Sequence, residues 1–323
     1  IEAVREFLTR PMWDLLGRGG KHWRPMFGIL MAEALGLDAA KYEDLIAVST
    51  ELTHLASLVI DDIEDNAETR RNDACIHLKY GTNIAINAAN ALYFLPITKL
   101  RENPLLTQEQ LLAIYSKTME FFVKAHFGQG MDLYRKAHAL LSDRADIDFL
   151  IRDTLSVYKL KTAAPIEFIA HSVCLIAGAD ASTTRAAVEL AENFGVAFQI
   201  KDDIHDFSGS EKWTKDRGSD LANGKLTYVI LLALKTLTGE DRQFLIRLLR
   251  GDAEPEADSL RKGMELVRAS GALEQADTLV FSMLNEAWEK FAGATRQSDA
   301  RILLKVMCEH LLNLDYNDPD LTQ

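Results

Sequence analysis

The chain has 323 residues, 48% of them hydrophobic and 26% charged, with a formal net charge of −12. The apolar share supports a large core. The acidic balance argues against nucleic acid as a partner, because phosphate backbones select basic surfaces. An anionic small molecule stays compatible with that charge where a local basic cluster or bound metal ions receive it.

Apolar residues recur at helical rather than alternating spacing. Leu45, Ile46, Val48, Leu52, Leu55, Leu58 and Val59 form one such series, and Leu303, Leu304, Met307, Leu311 and Leu312 another. With only seven prolines and no low-complexity linker, this reads as an all-α protein, a single domain over 1–323 with a frayed tail at 315–323. Breaks between helices fall at 17–21, 66–73, 102–107, 141–146, 208–223 and 251–258. Cys75, Cys174 and Cys308 lack metal-ligand spacing and read as core residues in a reducing, cytoplasmic compartment. No run of eighteen apolar residues occurs, so no membrane-spanning helix is expected. The sequence begins at Ile1, which leaves open a preceding segment such as a removed targeting peptide.

Near the N-terminus, Gly19-Gly20 frees the backbone before Lys21 and Arg24, two cations suited to a diphosphate; a basic loop capping a helix is the plainer reading. His54 lies two helical turns before an aspartate cluster, Asp61-Asp62-Ile63-Glu64-Asp65. A second cluster, Asp202-Asp203-Ile204-His205-Asp206, repeats the pattern. Apolar runs, 56–60 and 196–200, precede both, and this echo suggests paired helices facing a cavity. Within each cluster, carboxylates four residues apart share a helix face and repel, and a helix C-terminus disfavours them further. Divalent cations bound through oxygen compensate both penalties, and Mg²⁺ shares its coordination with substrate phosphates. A solvated acidic helix end is the alternative, weakened by the repetition. Arg70-Arg71 follows the first cluster, where arginine reads phosphate geometry or simply pairs with a nearby carboxylate. Gly128 and Gly130 inside a helix point to close helix approach.

In order along the chain, these motifs resemble the trans-isoprenyl diphosphate synthases. Gly19 to Pro25 looks like the family's GGKxxRP segment, Gly128 to Leu133 its GQxxDL helix, Lys161-Thr162 its KT pair and Phe198-Gln199 its FQ pair. Lys215 and Gly224-Lys225-Leu226-Thr227 stand where the last two phosphate-binding lysines would lie. The resemblance implies Mg²⁺, as three ions with substrate bound, on Asp61, Asp62, Asp65, Asp202, Asp203 and Asp206. It implies isopentenyl diphosphate on Lys21, Arg24, His54 and Arg71, the allylic diphosphate on Arg70, a substrate phosphate on Lys225, and catalytic roles for Lys161, Thr162, Gln199 and Lys215. Gln129 and Asp132 would lie near the first cluster. The family's organisation is usually a homodimer. Departures are Asn72 and Ala163 where the family has Gly, and Tyr228-Val229 for Leu-Pro. Asn tolerates left-handed backbone, so the Asn72 turn is expected to survive.

In the family, bulky aromatics just before the first cluster stop chain growth early. Ala56 and Ser57 are small, so the resemblance implies a twenty-carbon product, with Thr53, Tyr93, Phe94, Phe121 or Phe122 as a deeper floor. A farnesyl or longer-chain synthase, a class I terpene cyclase, a head-to-head coupling enzyme and a non-catalytic subunit are the alternatives. The second aspartate motif, the segment from Gly19 to Pro25 and Arg71 count against the cyclase.

Overall fold

The computed structural model describes residues 2–135, 145–208, 218–252 and 257–314. Lys215 and the tail 315–323 lie outside the described residues. Helices dominate: α1 (Arg10–Gly17), α2 (Trp23–Ala34), α3 (Ser49–Glu64), α4 (Ile76–Tyr80), α5 (Thr82–Leu100), α6 (Gln108–Tyr134), α7 (Ile147–Tyr158), α8 (Ala164–Ala177) and α9 (Ala181–Ser208). They continue as α10 (Ser219–Ala222), α11 (Tyr228–Thr236), α12 (Gly239–Arg250), α13 (Ala257–Ala269), α14 (Ala272–Ala294) and α15 (Asp299–Leu311). Among the described residues the sheet is one antiparallel hairpin, β1 (Thr69–Arg70) with β2 (Asp73–Ala74). The chain divides into two compact units, each built from sequence-distant pieces.

The first unit comprises Ile1–Met119, Phe168–Thr184 and Thr295–Leu304. Its core packs α3 against α5. Leu55, Ala56 and Val59 from α3 meet Ala85, Ala89 and Leu92 from α5, all buried, with Leu15 and Ile76 completing the cluster. Alanines in this seam let the two backbones approach, while each buried Leu or Val contributes about 1.5–3 kcal/mol. At the end of α3, Asn66 takes left-handed geometry (φ 52°). Its N–H bonds Ile63 O at 3.3 Å and the Ala67 N–H bonds Asp62 O at 2.9 Å. This Schellman closure ends the helix at the acidic cluster and satisfies carbonyls left without partners.

The second unit comprises Glu120–Glu167, Arg185–Ala294 and Lys305–Gln323. Asp146 caps α7, its Oδ1 accepting from the Phe149 N–H at 3.0 Å. A π turn, Lys159–Ala163, then leads into α8. Glycines set two close approaches. A Cβ on Gly128 would stand 2.5 Å from Lys161 N, and one on Gly195 would stand 2.7 Å from the Ala163 methyl. The methyl that this chain carries at 163 is therefore accommodated by Gly195. Gly130 has open space, so the packing inference holds for Gly128 and not for Gly130. Helix α11 is buried from Tyr228 to Leu234, as its uniformly apolar sequence requires.

The stretch Ile147–Ala177 is apolar enough over an 18-residue window to cross a bilayer by composition, with mean hydropathy 1.3. Of that window, 61% is buried inside the protein, which is how a core helix meets the same measure.

Candidate active site

The first acidic cluster separates into two roles. Because Asp62 sits about 100° around the helix from Asp61, it points inward: it is fully buried and accepts from Arg70 Nε at 2.8 Å, with a second guanidinium nitrogen on the same oxygen. Asp61 is half-buried and Asp65 exposed. Tyr93 lies close by, its hydroxyl pushed up to about 12 by burial and then by Glu64 and Asp61. No three acidic, His or Cys side chains converge into a ready-made cage among the described residues. Two carboxylates one turn apart fit Mg²⁺, which takes one or two from protein and fills its octahedron with water and phosphate oxygens.

Beside this cluster, within the same unit, lies a basic cradle. Arg24 stacks over Trp23, 4.2 Å from the ring centroid, and its Nη1 donates to His54 Nε2 at 3.2 Å. Arginine has no acceptor, so His54 Nε2 must accept and the ring proton resides on Nδ1. Burial holds the imidazole well below its usual range, reinforced by Arg24, Arg71, Arg70 and His22, so His54 is neutral near pH 7. Burial also brings Arg24 down to about 10 against the pull of Glu51, and its Nε is buried without a hydrogen-bond partner. Arg71 donates to Gly19 O and lies 3.7 Å from Glu51. Glu51 also stands 3.1 Å from His22 Nδ1. A Cβ on Gly20 would come within 2.7 Å of Arg71 Nη2, so the second glycine leaves room for the arginine. Lys21 is exposed at the rim.

Glu51 and His22 escaped sequence reasoning. Glu51 lies three residues before His54, and that shared face was the available signal. Of the chain-length candidates, Ala56 is fully buried in the α3–α5 core, whereas Ser57 is exposed and bonds back to His54 O at 2.8 Å. Thr53 is half-buried and donates to Ser49 O at 2.8 Å. Phe94 is exposed and Phe121 buried.

In the second unit, the π turn presents Lys161 and Thr162. Lys161 Nζ is 2.7 Å from Asp132 Oδ2, and the Thr162 hydroxyl donates to Gln199 Oε1 at 2.9 Å. Such turns inside helices often mark functional sites. Asp203 is buried and accepts from the Tyr158 hydroxyl at 2.5 Å and the Tyr228 N–H at 3.2 Å, with Gln199 Nε2 at 3.4 Å. Burial pushes its carboxyl above the usual range, and Asp220 and Asp202 add to the effect. Asp206 caps α10, accepting from the Ser219 N–H and hydroxyl at 3.1 and 3.0 Å and the Asp220 N–H at 3.1 Å. Asp202 is half-buried and Lys225 exposed. Tyr158 and the π turn left no sequence signal, because each depends on what packs around it.

The polyprenyl synthetase family model matches residues 5–267. A geranylgeranyl pyrophosphate synthase of Geoglobus acetivorans is 32% identical over 317 residues, covering 98% of this chain and 93% of its own. A geranylfarnesyl diphosphate synthase of Aeropyrum pernix is 33% identical, covering 82% and 80%. A crystal structure of geranylgeranyl pyrophosphate synthetase from Pyrococcus horikoshii has TM-score 0.85 at 24% identity, over 96% of this chain and 90% of that one. The chain belongs to the polyprenyl synthetase family, prenyl-transferring enzymes with the all-α isoprenoid synthase fold. Enzymes of this family are typically metal-dependent.

Proposed function

We propose that this trans-prenyltransferase condenses isopentenyl diphosphate with an allylic diphosphate and releases geranylgeranyl diphosphate. The observation that carries the substrate reading is Arg24, whose Nε is buried without a hydrogen-bond partner within a cradle of Arg71, His54 and two glycines. A buried guanidinium N–H left without an acceptor is costly, and an anion supplies that acceptor. Isopentenyl diphosphate supplies that anion, with Lys21 closing on it from the rim.

Asp61, Asp65 and Asp202 are the carboxylates that would hold Mg²⁺, three ions with the substrate bound, while Asp62, Asp203 and Asp206 keep them in place. Metal held there would supply Lewis-acid stabilisation of the charge growing on the departing diphosphate. Arg70, Lys161, Lys215 and Lys225 add cationic stabilisation to that group. Thr162 orients Gln199 toward the allylic carbon, and the isopentenyl double bond attacks the resulting cation. A proton then leaves to the product diphosphate, so no dedicated side-chain base is required. Ser57 leaves room for a growing chain, which supports a twenty-carbon product over a shorter one. A homodimer in the cytoplasm completes the reading.

The test is direct: incubate the protein with Mg²⁺, isopentenyl diphosphate and each allylic primer, then identify products by mass spectrometry. Elongated diphosphates of twenty carbons are expected. Cyclic hydrocarbon formed without isopentenyl diphosphate would overturn the assignment. Asp61→Ala should abolish turnover while leaving the melting temperature nearly unchanged. Asp62→Ala instead strands Arg70 and should cost about 3 kcal/mol of stability.

A further inference from the structure

The turn that delivers Arg71 is held in an unfavourable conformation by a hairpin too small to hold it alone. Arg71 and Asn72 are its two central residues, with φ of 54° and 62°. Both are left-handed, the arrangement of a type I′ hairpin turn, which normally selects Asn-Gly and is costly for arginine. The flanking strands are two residues each, paired Thr69 with Ala74 and Arg70 with Asp73. A two-stranded hairpin is marginal in water even when longer.

Arg18, at the end of α1, closes this gap. Its side chain is 7% exposed. One nitrogen, Nη1, donates to both strands of the hairpin, reaching Arg70 O at 3.1 Å and Ala74 O at 2.9 Å. The guanidinium is oriented by Asp14, whose Oδ1 accepts from Arg18 Nε at 2.8 Å. Asp14 Oδ2 is fixed in turn by the Tyr80 hydroxyl at 2.5 Å and Lys79 Nζ at 2.8 Å. Lys79 also reaches Asp73 Oδ2 at 2.9 Å, on the second strand. Burial opposes ionisation of Asp14, but hydrogen bonds from Lys79, Tyr80 and Arg18 outweigh it and hold the carboxyl at about 2.

We infer that Arg18, oriented by Asp14, is a positioning residue that holds the Arg71 turn in its diphosphate-receiving conformation. This rests on the reading that Arg71 receives isopentenyl diphosphate. Arg70 shares the hairpin, but it lies in the strand with its guanidinium anchored on buried Asp62, whereas Arg71, whose guanidinium is held on Gly19 O, carries the strained turn conformation itself. Loss of the clamp should therefore release Arg71 far more than Arg70, and the two substrates should report this separately.

The experiment compares wild type, Arg18→Met, Arg71→Ala and the double variant by steady-state kinetics with both substrates, alongside melting temperatures. Arg18→Met should raise KM for isopentenyl diphosphate by about 10-fold, with the allylic KM and kcat each within about 3-fold. The double variant should be no worse than Arg71→Ala alone, because a clamp has nothing to act on once its arginine is gone. Arg18→Lys, which keeps the pair with Asp14, should recover part of the loss. Should Arg18→Met melt below the assay temperature, Asp14→Asn carries the same comparison with a shift of about 3-fold. An unchanged KM for isopentenyl diphosphate, equal rises in both KM values, or full additivity in the double variant would overturn the clamp. If Arg71→Ala itself leaves that KM unchanged, the underlying reading fails instead.

Discussion

His54 gives the residue scale its clearest consequence. Its imidazole is held well below its usual range, so the folded protein keeps it neutral where the unfolded chain begins to protonate it near about pH 6.5. Stability from this site is present above that pH and is lost as pH falls through it toward the folded value. The melting temperature should therefore decline between pH 7 and 5, and His54→Gln should flatten that part of the profile. Equal slopes in the two proteins would remove the residue from the account. At the α3–α5 seam the contrast is steric. Ser57→Phe should shorten the product with little loss of stability. Ala56→Phe forces an aromatic ring into a filled core and should destabilise by about 1–3 kcal/mol or more, whatever its product. Mass-spectrometric product lengths measured beside melting temperatures separate the two.

Among the elements, α6 and the π turn depend on each other through one glycine. A methyl on Gly128 meets the backbone of Leu160 and Lys161, so Gly128→Ala must displace the turn carrying Lys161. Gly130→Ala meets nothing and removes a helix penalty of about 1 kcal/mol. Denaturant unfolding should show the first variant less stable and the second more so, and only the first should lose activity. The hairpin after the first cluster offers a related lesson. Asn72, which stands where the family has glycine, adopts the left-handed turn as expected from its side chain. That Arg71 beside it does the same was not legible, because arginine shows no such preference and is held there by partners distant in sequence.

At the scale of the molecule, α6 carries a row of exposed apolar residues: Leu112, Met119, Val123, Phe127 and Tyr134. Their steps of seven, four, four and seven place them along one helix face. Exposed among the described residues, a stripe of that length suits a self-complementary partner, which is the surface we assign to the proposed homodimer. Val123→Glu with Phe127→Glu should convert a dimer to monomers in sedimentation velocity. A wild-type chain that sediments as a monomer at micromolar concentration would refute the assignment.

Short-range pattern was enough to identify the all-α class, both aspartate clusters, the glycine-rich basic segment and the arginine pair. Each consists of neighbouring residues whose spacing on a helix or turn follows from backbone geometry alone. What the tertiary structure decided is how those residues divide their work. Asp61 and Asp62 are adjacent and chemically identical, yet one stays half-buried while the other disappears beneath Arg70. Asp206 repeats Asp65 in the motif, yet it caps a helix that begins at Ser219. The Arg18 clamp, the Tyr158 bond to Asp203 and the burial of Ala56 have the same origin. Hydrogen bonding and burial are settled by partners tens of residues away, and only the packed chain brings those partners into reach.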